Sequence, residues 1–204
     1  MSYQFMKADK SCLIACGIMQ KEIDTLISQG QIDAEVVFLD KELHVNYRKL
    51  ERALDQALKR HQIRAGAKPV VVYGDVCLGF KNEMRGLMDR YGAVKVEALN
   101  CIDCLLGGGG KLLEIDPDHL YLFLTPAFIE FTERIMSKTR EETRRIFSRL
   151  KGILLIDSLG NLDDYQDRIR AIRDLTGLPI LETRKVGLAG LKTVISNALE
   201  RVRP

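Results

Sequence analysis

At 204 residues, with 46% hydrophobic and 29% charged side chains, the chain can bury a full core without disulfides, and one large domain is the simplest organisation. Lysine and arginine (31) nearly balance aspartate and glutamate (28), and a net charge of +3 gives no sign of a nucleic acid or an anionic membrane as partner. The opening Met-Ser-Tyr-Gln-Phe-Met-Lys-Ala-Asp-Lys lacks the apolar run of a signal peptide and no later run approaches bilayer length, so the expected location is the cytoplasm, where five cysteines serve as ligands, reactive thiols or small core residues rather than bridges.

Taken in order, Ser11 to Ala15 reads as a strand ending in Cys16-Gly17, followed by a helix carrying Met19, Ile23, Leu26 and Ile27 up to Gly30. Ala34 to Leu39 is a second strand. Asn46 then caps a helix with Leu50, Ala53, Leu54, Ala57 and Leu58 on one stripe. Pro69 to Tyr73 is a third strand, Gly74 to Gly79 a loop, Asn82 to Tyr91 a helix and Val94 to Leu99 a fourth strand. Beyond the glycine run, Leu120 to Leu124 is a fifth strand and Phe128 to Leu150 one long charged helix. Gly152 to Ile156, a helix over Leu162 to Leu175, a short strand at Pro179 to Glu182 and a helix over Leu188 to Val202 complete the chain. Strand and helix alternate throughout and the strands are almost wholly apolar. This predicts a doubly wound, mostly parallel α/β sheet with helices on both faces, Rossmann-like, and two similar halves are compatible with the spacing.

In such a sheet ligands bind beyond the carboxyl ends of the strands. Cys16, Cys77 and Cys101 each fall just after a predicted strand and so share that edge, whereas Cys12 lies within a strand and reads as core. Converging thiolates suit zinc or an iron–sulfur cluster, with His44, after the second strand, or Cys104 as further candidate ligands. The alternatives are an exposed loop histidine and a small buried helix cysteine.

The richest stretch is Asn100-Cys-Ile-Asp-Cys-Leu-Leu-Gly-Gly-Gly-Gly-Lys111. Its Cys101 and Cys104 stand one helical turn apart near a helix start, which also fits a thiol–disulfide pair, although Ile-Asp between them does not match the thioredoxin pattern. Gly107 to Gly110 with Lys111 fails as a phosphate-binding loop, because Leu105 and Leu112 stand where that motif needs a glycine and a hydroxyl residue. The glycines allow close backbone approach by a ligand, or form a connection between helices. Asp75, Asp157 and Asn161 read as solvated loop or cap residues, and Asp103, between the cysteines, as a group able to orient a ligand. The basic run Arg134, Lys138, Arg140, Arg144, Arg145, Arg149, interleaved with glutamates, reads as a solvated helix face. No Ser–His–Asp order, zinc-protease helix or dinucleotide fingerprint is present.

Three segments, Ala15-Cys16-Gly17, Tyr73-Gly74-Asp75-Val76-Cys77 and Asn100-Cys101-Ile102-Asp103-Cys104-Leu105-Leu106-Gly107, together resemble a family of archaeal and anaerobic bacterial proteins known only as a domain of unknown function. Its members often occur near corrinoid-dependent methyltransferase systems in methanogens and acetogens. The resemblance implies that Cys16, Cys77 and Cys101 are shared cysteines and that His44 matches a histidine after the second strand. Val45-Asn46-Tyr47 stands in place of the proline that follows that histidine in relatives, and Cys104 in place of an apolar residue. The expectation is a metal site of Cys16, Cys77, Cys101 and His44 holding zinc or an iron–sulfur cluster, with Gly17, Gly74, Asp103 and Gly107 around the bound group. The implied setting is one-carbon metabolism, with a small-molecule ligand and a corrinoid protein or methyltransferase as partner. An enzyme, a non-catalytic accessory or metal-delivery protein, and a thiol–disulfide protein using Cys101 and Cys104 all fit this pattern.

Overall fold

The structure, a computed structural model, describes residues 10–64, 68–135 and 139–202. Four strands, β1 (Ser11–Cys16), β2 (Ala34–Leu39), β3 (Val70–Val72) and β4 (Val94–Lys95), form a parallel sheet in the order β2-β1-β3-β4. Cys12 to Cys16 of β1 and all of β3 are buried, as apolar runs covered on both faces must be, while the edge strand β2 alternates between buried and more exposed positions. Between them run helices α1 (Gln20–Ser28), α2 (Tyr47–Arg64) and α3 (Glu83–Tyr91). The cap expected at Asn46 is present, its Oδ1 accepting from the N–H of Lys49 at 3.0 Å. The α2 stripe is buried at Leu50, Leu54, Ala57 and Leu58, and Ala53 packs on the same core. Full burial of each leucine is worth about 1.5–3 kcal/mol, so this stripe rather than helix propensity fixes α2 on the sheet.

The expected fourth strand is much shorter than Val94 to Leu99. After Val96, whose N–H still donates to the carbonyl of Val71 at 3.0 Å, the chain leaves the ladder and crosses over the end of β3, where the N–H groups of Asp75 and Val76 donate to the carbonyls of Ala98 (2.9 Å) and Leu99 (3.1 Å). Short helices α4 (Cys101–Leu106) and α5 (Lys111–Ile115) follow.

The remaining strands, β5 (Tyr121–Leu124), β6 (Gly152–Asp157) and β7 (Ile180–Lys185), form a second parallel sheet in the order β5-β6-β7, with α6 (Pro126–Ile135), α7 (Arg140–Phe147), α8 (Gln166–Thr176) and α9 (Ala189–Glu200). The parallel α/β architecture is as predicted, but its strands divide into two sheets rather than one. The helix expected over Phe128 to Leu150 is two helices, because Thr139 starts α7 with a capping box: its Oγ1 accepts from Glu142 N–H while Glu142 returns to the N–H of Thr139. Lys138 of the basic run and the first nine residues lie outside the described residues. β7 is longer than expected, and largely exposed.

Two cores result. Leu124, Ile129, Ile153, Leu155, Ile169 and Ile172 fill the second sheet's, while α9, last in the chain, returns to the first sheet and buries Leu191, Val194, Ile195 and Ala198 there. Among the described residues no helix is long and apolar enough to cross a membrane.

Candidate functional site

The chain goes from β1 outward to β2 and then returns past β1 to β3, so the winding reverses between β1 and β3, the place where open α/β sheets form their ligand crevice. Cys16 ends β1. Tyr73 directly follows β3, and Cys77 lies in the tight 3-10 turn four residues later. Cys101 opens α4 and Cys104 lies one turn on, brought to this edge by the chain that crosses Gly74. All four cysteines are buried and unpaired.

These groups sense one another. Burial, and then the proximity of Cys16, Cys77 and Cys104, pushes the Cys101 thiol well above its usual range. Burial likewise pushes Cys77 up to about 12, and it raises Cys104, with Cys77 and Asp103 adding to that rise. Cys16 is raised by burial, against the backbone at Ile18 and the nearby Tyr73 hydroxyl. In the native state the cluster therefore holds neutral thiols near neutral pH. Tyr73 is 2% exposed and its Oη has no hydrogen-bond partner; Cys16 is near enough to perturb it, but no pair of hydrogen-bonding geometry forms.

The roof of the cluster is fixed by backbone contacts. A Cβ on Gly74 would lie 2.2 Å from the carbonyl of Leu99 and 2.3 Å from the nitrogen of Asn100, so the crossing chain touches bare backbone. Gly17 is similarly close to Leu39, its Cβ position 2.7 Å from that carbonyl oxygen. Asp103 is fully buried, and its carboxylate accepts from the N–H groups of Leu99 (2.9 Å), Gly110 (3.1 Å) and Leu112 (2.9 Å), which commits it to holding the glycine loop. Gly107 to Gly110 all have positive φ and join α4 to α5, the connection between helices. Gly107 packs against Lys111 and Gly190 of α9.

His44 stands elsewhere on the same edge. Its ring meets Phe128 and Phe131 of α6 edge-on, with centroids 5.3 and 6.3 Å away, and burial lowers its pKa. Asp75 pairs with Lys95 at 2.9 Å, and Asp157 accepts from Gly160 and Asn161, so both are loop-holding groups. Cys12 is core, as expected. Among the described residues no three or more His, Cys, Asp and Glu side chains are drawn together closely enough to hold a metal ion as they stand. Tyr73 is the member that sequence reasoning passed over, as the last residue of a strand; its signal is a polar-tipped aromatic closing an otherwise all-valine run. Beside the cluster opens a cleft of about 670 Å³ lined by Asp75, Lys95, Ala98, Leu99, Arg85 and Arg201 among others. Lys95, on the wall of that cleft, pulls the thiol pKa values of Cys77 and Cys104 downward, against their burial.

Neither a curated protein nor a solved structure matches the chain. A family model does, over residues 38–195, a span that takes in His44, Tyr73, Cys77, Cys101 and Cys104 and begins after Cys16. The match covers well over half of the chain, which therefore belongs to the family described as "Protein of unknown function (DUF1638)".

Proposed function

We propose that the chain binds a thiophilic metal group, zinc or an iron–sulfur cluster, through Cys16, Cys77 and Cys101, and that it serves corrinoid-linked one-carbon metabolism. The observation that carries the metal reading is the gathering of cysteines from three distant segments around the point where the sheet's winding reverses. Uptake requires the thiols to lose their protons and the sulfurs to close in, so it is coupled to pH. The fourth position falls to His44, whose ring packs edge-on against Phe128 and Phe131, or to an external ligand. Zinc held by thiolates acts as a Lewis acid that lowers the pKa of a thiol or water bound to it. The adjoining cleft, with Lys95, Arg85 and Arg201 on its wall, offers a route for a small ligand. The one-carbon setting rests on the resemblance to proteins found beside corrinoid-dependent methyltransferases. Burial of both Cys101 and Cys104 speaks against thiol–disulfide exchange with a partner, which needs an accessible sulfur.

Elemental analysis of protein purified without oxygen, with its ultraviolet–visible spectrum, tests the reading. Near-stoichiometric zinc, or iron with sulfide, that is lost on Cys16→Ser, Cys77→Ser or Cys101→Ser supports it. Protein that stays free of both after anaerobic reconstitution sinks it.

A further inference from the structure

We propose that two copies of this chain associate about a twofold axis through the outer edge of β7, the two β7 strands pairing antiparallel and joining two three-stranded sheets into one of six strands. The association concerns the second sheet alone and holds with or without a metal at the cysteines.

The edge is open. β7 ends the order β5-β6-β7, and among the described residues no backbone hydrogen bond reaches its outer side. Five of its six residues are exposed, two of them large and apolar: Ile180 (37%) and Leu181 (50%). The β4 edge of the first sheet is covered instead, since Arg201 donates to the Lys95 carbonyl at 2.6 Å. An uncovered edge is a template for another strand unless a bulge or misplaced charge spoils it. The bulge of β7 falls at Leu181, between Ile180 opposite Ile153 and Glu182 opposite Leu154, so Glu182 to Lys185 run in regular register beyond it.

Backbone direction fixes which groups are free. The Val186 N–H bonds to the Asp157 carbonyl of β6, and alternate residues of a strand turn their backbone groups to the same side. Arg184 therefore faces β6, while Thr183 and Lys185 direct N–H and C=O outward. Charge then selects the partner and the register. Glu182 and Arg184 share one face of the strand and pair at 3.0 Å within a chain. With Thr183 opposite Thr183 of the second copy, Glu182 of each chain stands opposite Arg184 of the other, and four charges alternate in sign around the axis. The two Thr183 residues exchange a pair of N–H···O bonds. Glu182 and Arg184 then form the non-hydrogen-bonded pairs, whose Cα atoms approach to about 4.5 Å and whose side chains lie closest. Leu181 falls against the aliphatic stem of Lys185. Centring the axis on Glu182 or on Arg184 would set like charges against each other, so the sequence of this edge favours one register of self-pairing.

The test is sedimentation equilibrium of the full chain from micromolar to millimolar concentration. Wild type should reach the mass of a dimer. Glu182→Arg and Arg184→Glu each turn two attractive cross-strand pairs into repulsive ones and should raise the dissociation constant by about 10-fold or more. The double variant restores opposite signs across the axis and should return the constant to the wild-type value. Thr183→Pro removes an outward N–H, which an edge strand tolerates, and should give a folded monomer. A wild type that stays monomeric at millimolar concentration overturns the inference. So does a dimer that neither charge reversal weakens, or a double variant no more dimeric than the single ones. Should Thr183→Pro not fold, the charge reversals on exposed side chains decide alone.

Discussion

Gly74 has no space for a side chain. A methyl there would overlap the Leu99 carbonyl at 2.2 Å, and both partners are backbone held by the hydrogen bonds from Asp75 and Val76, so neither can yield cheaply. Gly74→Ala is expected to destabilise the protein by at least about 1–3 kcal/mol, the range for overpacking, as a lower denaturant midpoint. Gly86, on the exposed side of α3 with nothing near its Cβ position, is the control: Gly86→Ala should stabilise by about 1 kcal/mol, the difference in helix propensity. If the two variants move together, the roof is not as rigid as its contacts imply. The same scale governs thiol chemistry. With Cys77 raised to about 12 and Cys16, Cys101 and Cys104 also raised by burial, iodoacetamide near neutral pH should leave these four thiols unmodified in the native state and label all of them in urea. Rapid native labelling at any of them, read by peptide mass, would contradict the buried cluster.

At the scale of elements, α4, the glycine loop and α5 hang on one carboxylate. Asp103 accepts from Leu99, Gly110 and Leu112, and Asn100 in turn caps α4 by accepting from the N–H of Asp103 at 3.0 Å. Asp103→Ala strips these donors of their acceptor at once and should cost upwards of about 3 kcal/mol, with faster amide exchange at Gly110 and Leu112 than in the rest of the first core. Unchanged exchange there would mean that the four glycines hold their turn unaided. The sequence made much of this region legible, because glycine and aspartate punctuate the strand ends and thereby mark where Cys16, Cys77 and Cys101 must lie. It did not show that Glu97 to Leu99 abandon the ladder, since alternation persists in the residues while the carbonyls of Ala98 and Leu99 accept from Asp75 and Val76. Nor does periodicity say which strands pair, so the break between β4 and β5 into two sheets was invisible. The break between α6 and α7 was readable in principle: Thr139-Arg-Glu-Glu142 is a capping-box pattern, masked by the charged face that continues on either side of it.

At the scale of the whole molecule, the carboxylates of Glu22 and Glu130 both make contacts between the halves, and their pH dependences have opposite signs. Ser158, at the end of β6, donates to Glu22 of α1 at 2.7 Å, leaving Oε2 of this buried carboxylate unpaired. Burial raises the Glu22 pKa above its usual 4.5. Between those two values the native state holds a proton that the unfolded chain has released. Its contribution is therefore fully present below pH 4.5 and is lost as pH rises through the folded pKa. Glu130 of α6 behaves in reverse. Burial alone would raise it, but hydrogen bonds from Lys21 and Tyr165 and the charge of Lys21 outweigh that and bring it down to about 2. Its contribution is present above pH 4.5 and disappears as pH falls towards 2. Glu22→Gln imitates the protonated acid and keeps the acceptor for Ser158, so it should raise the melting temperature at neutral pH and leave it unchanged near pH 4. Glu130→Gln should lower the melting temperature at neutral pH and converge with wild type at the acid end. Thermal melts of the three proteins across this range check both signs. Curves that run parallel at all pH values would show that neither carboxylate carries its perturbed titration into the stability of the contact between the two sheets.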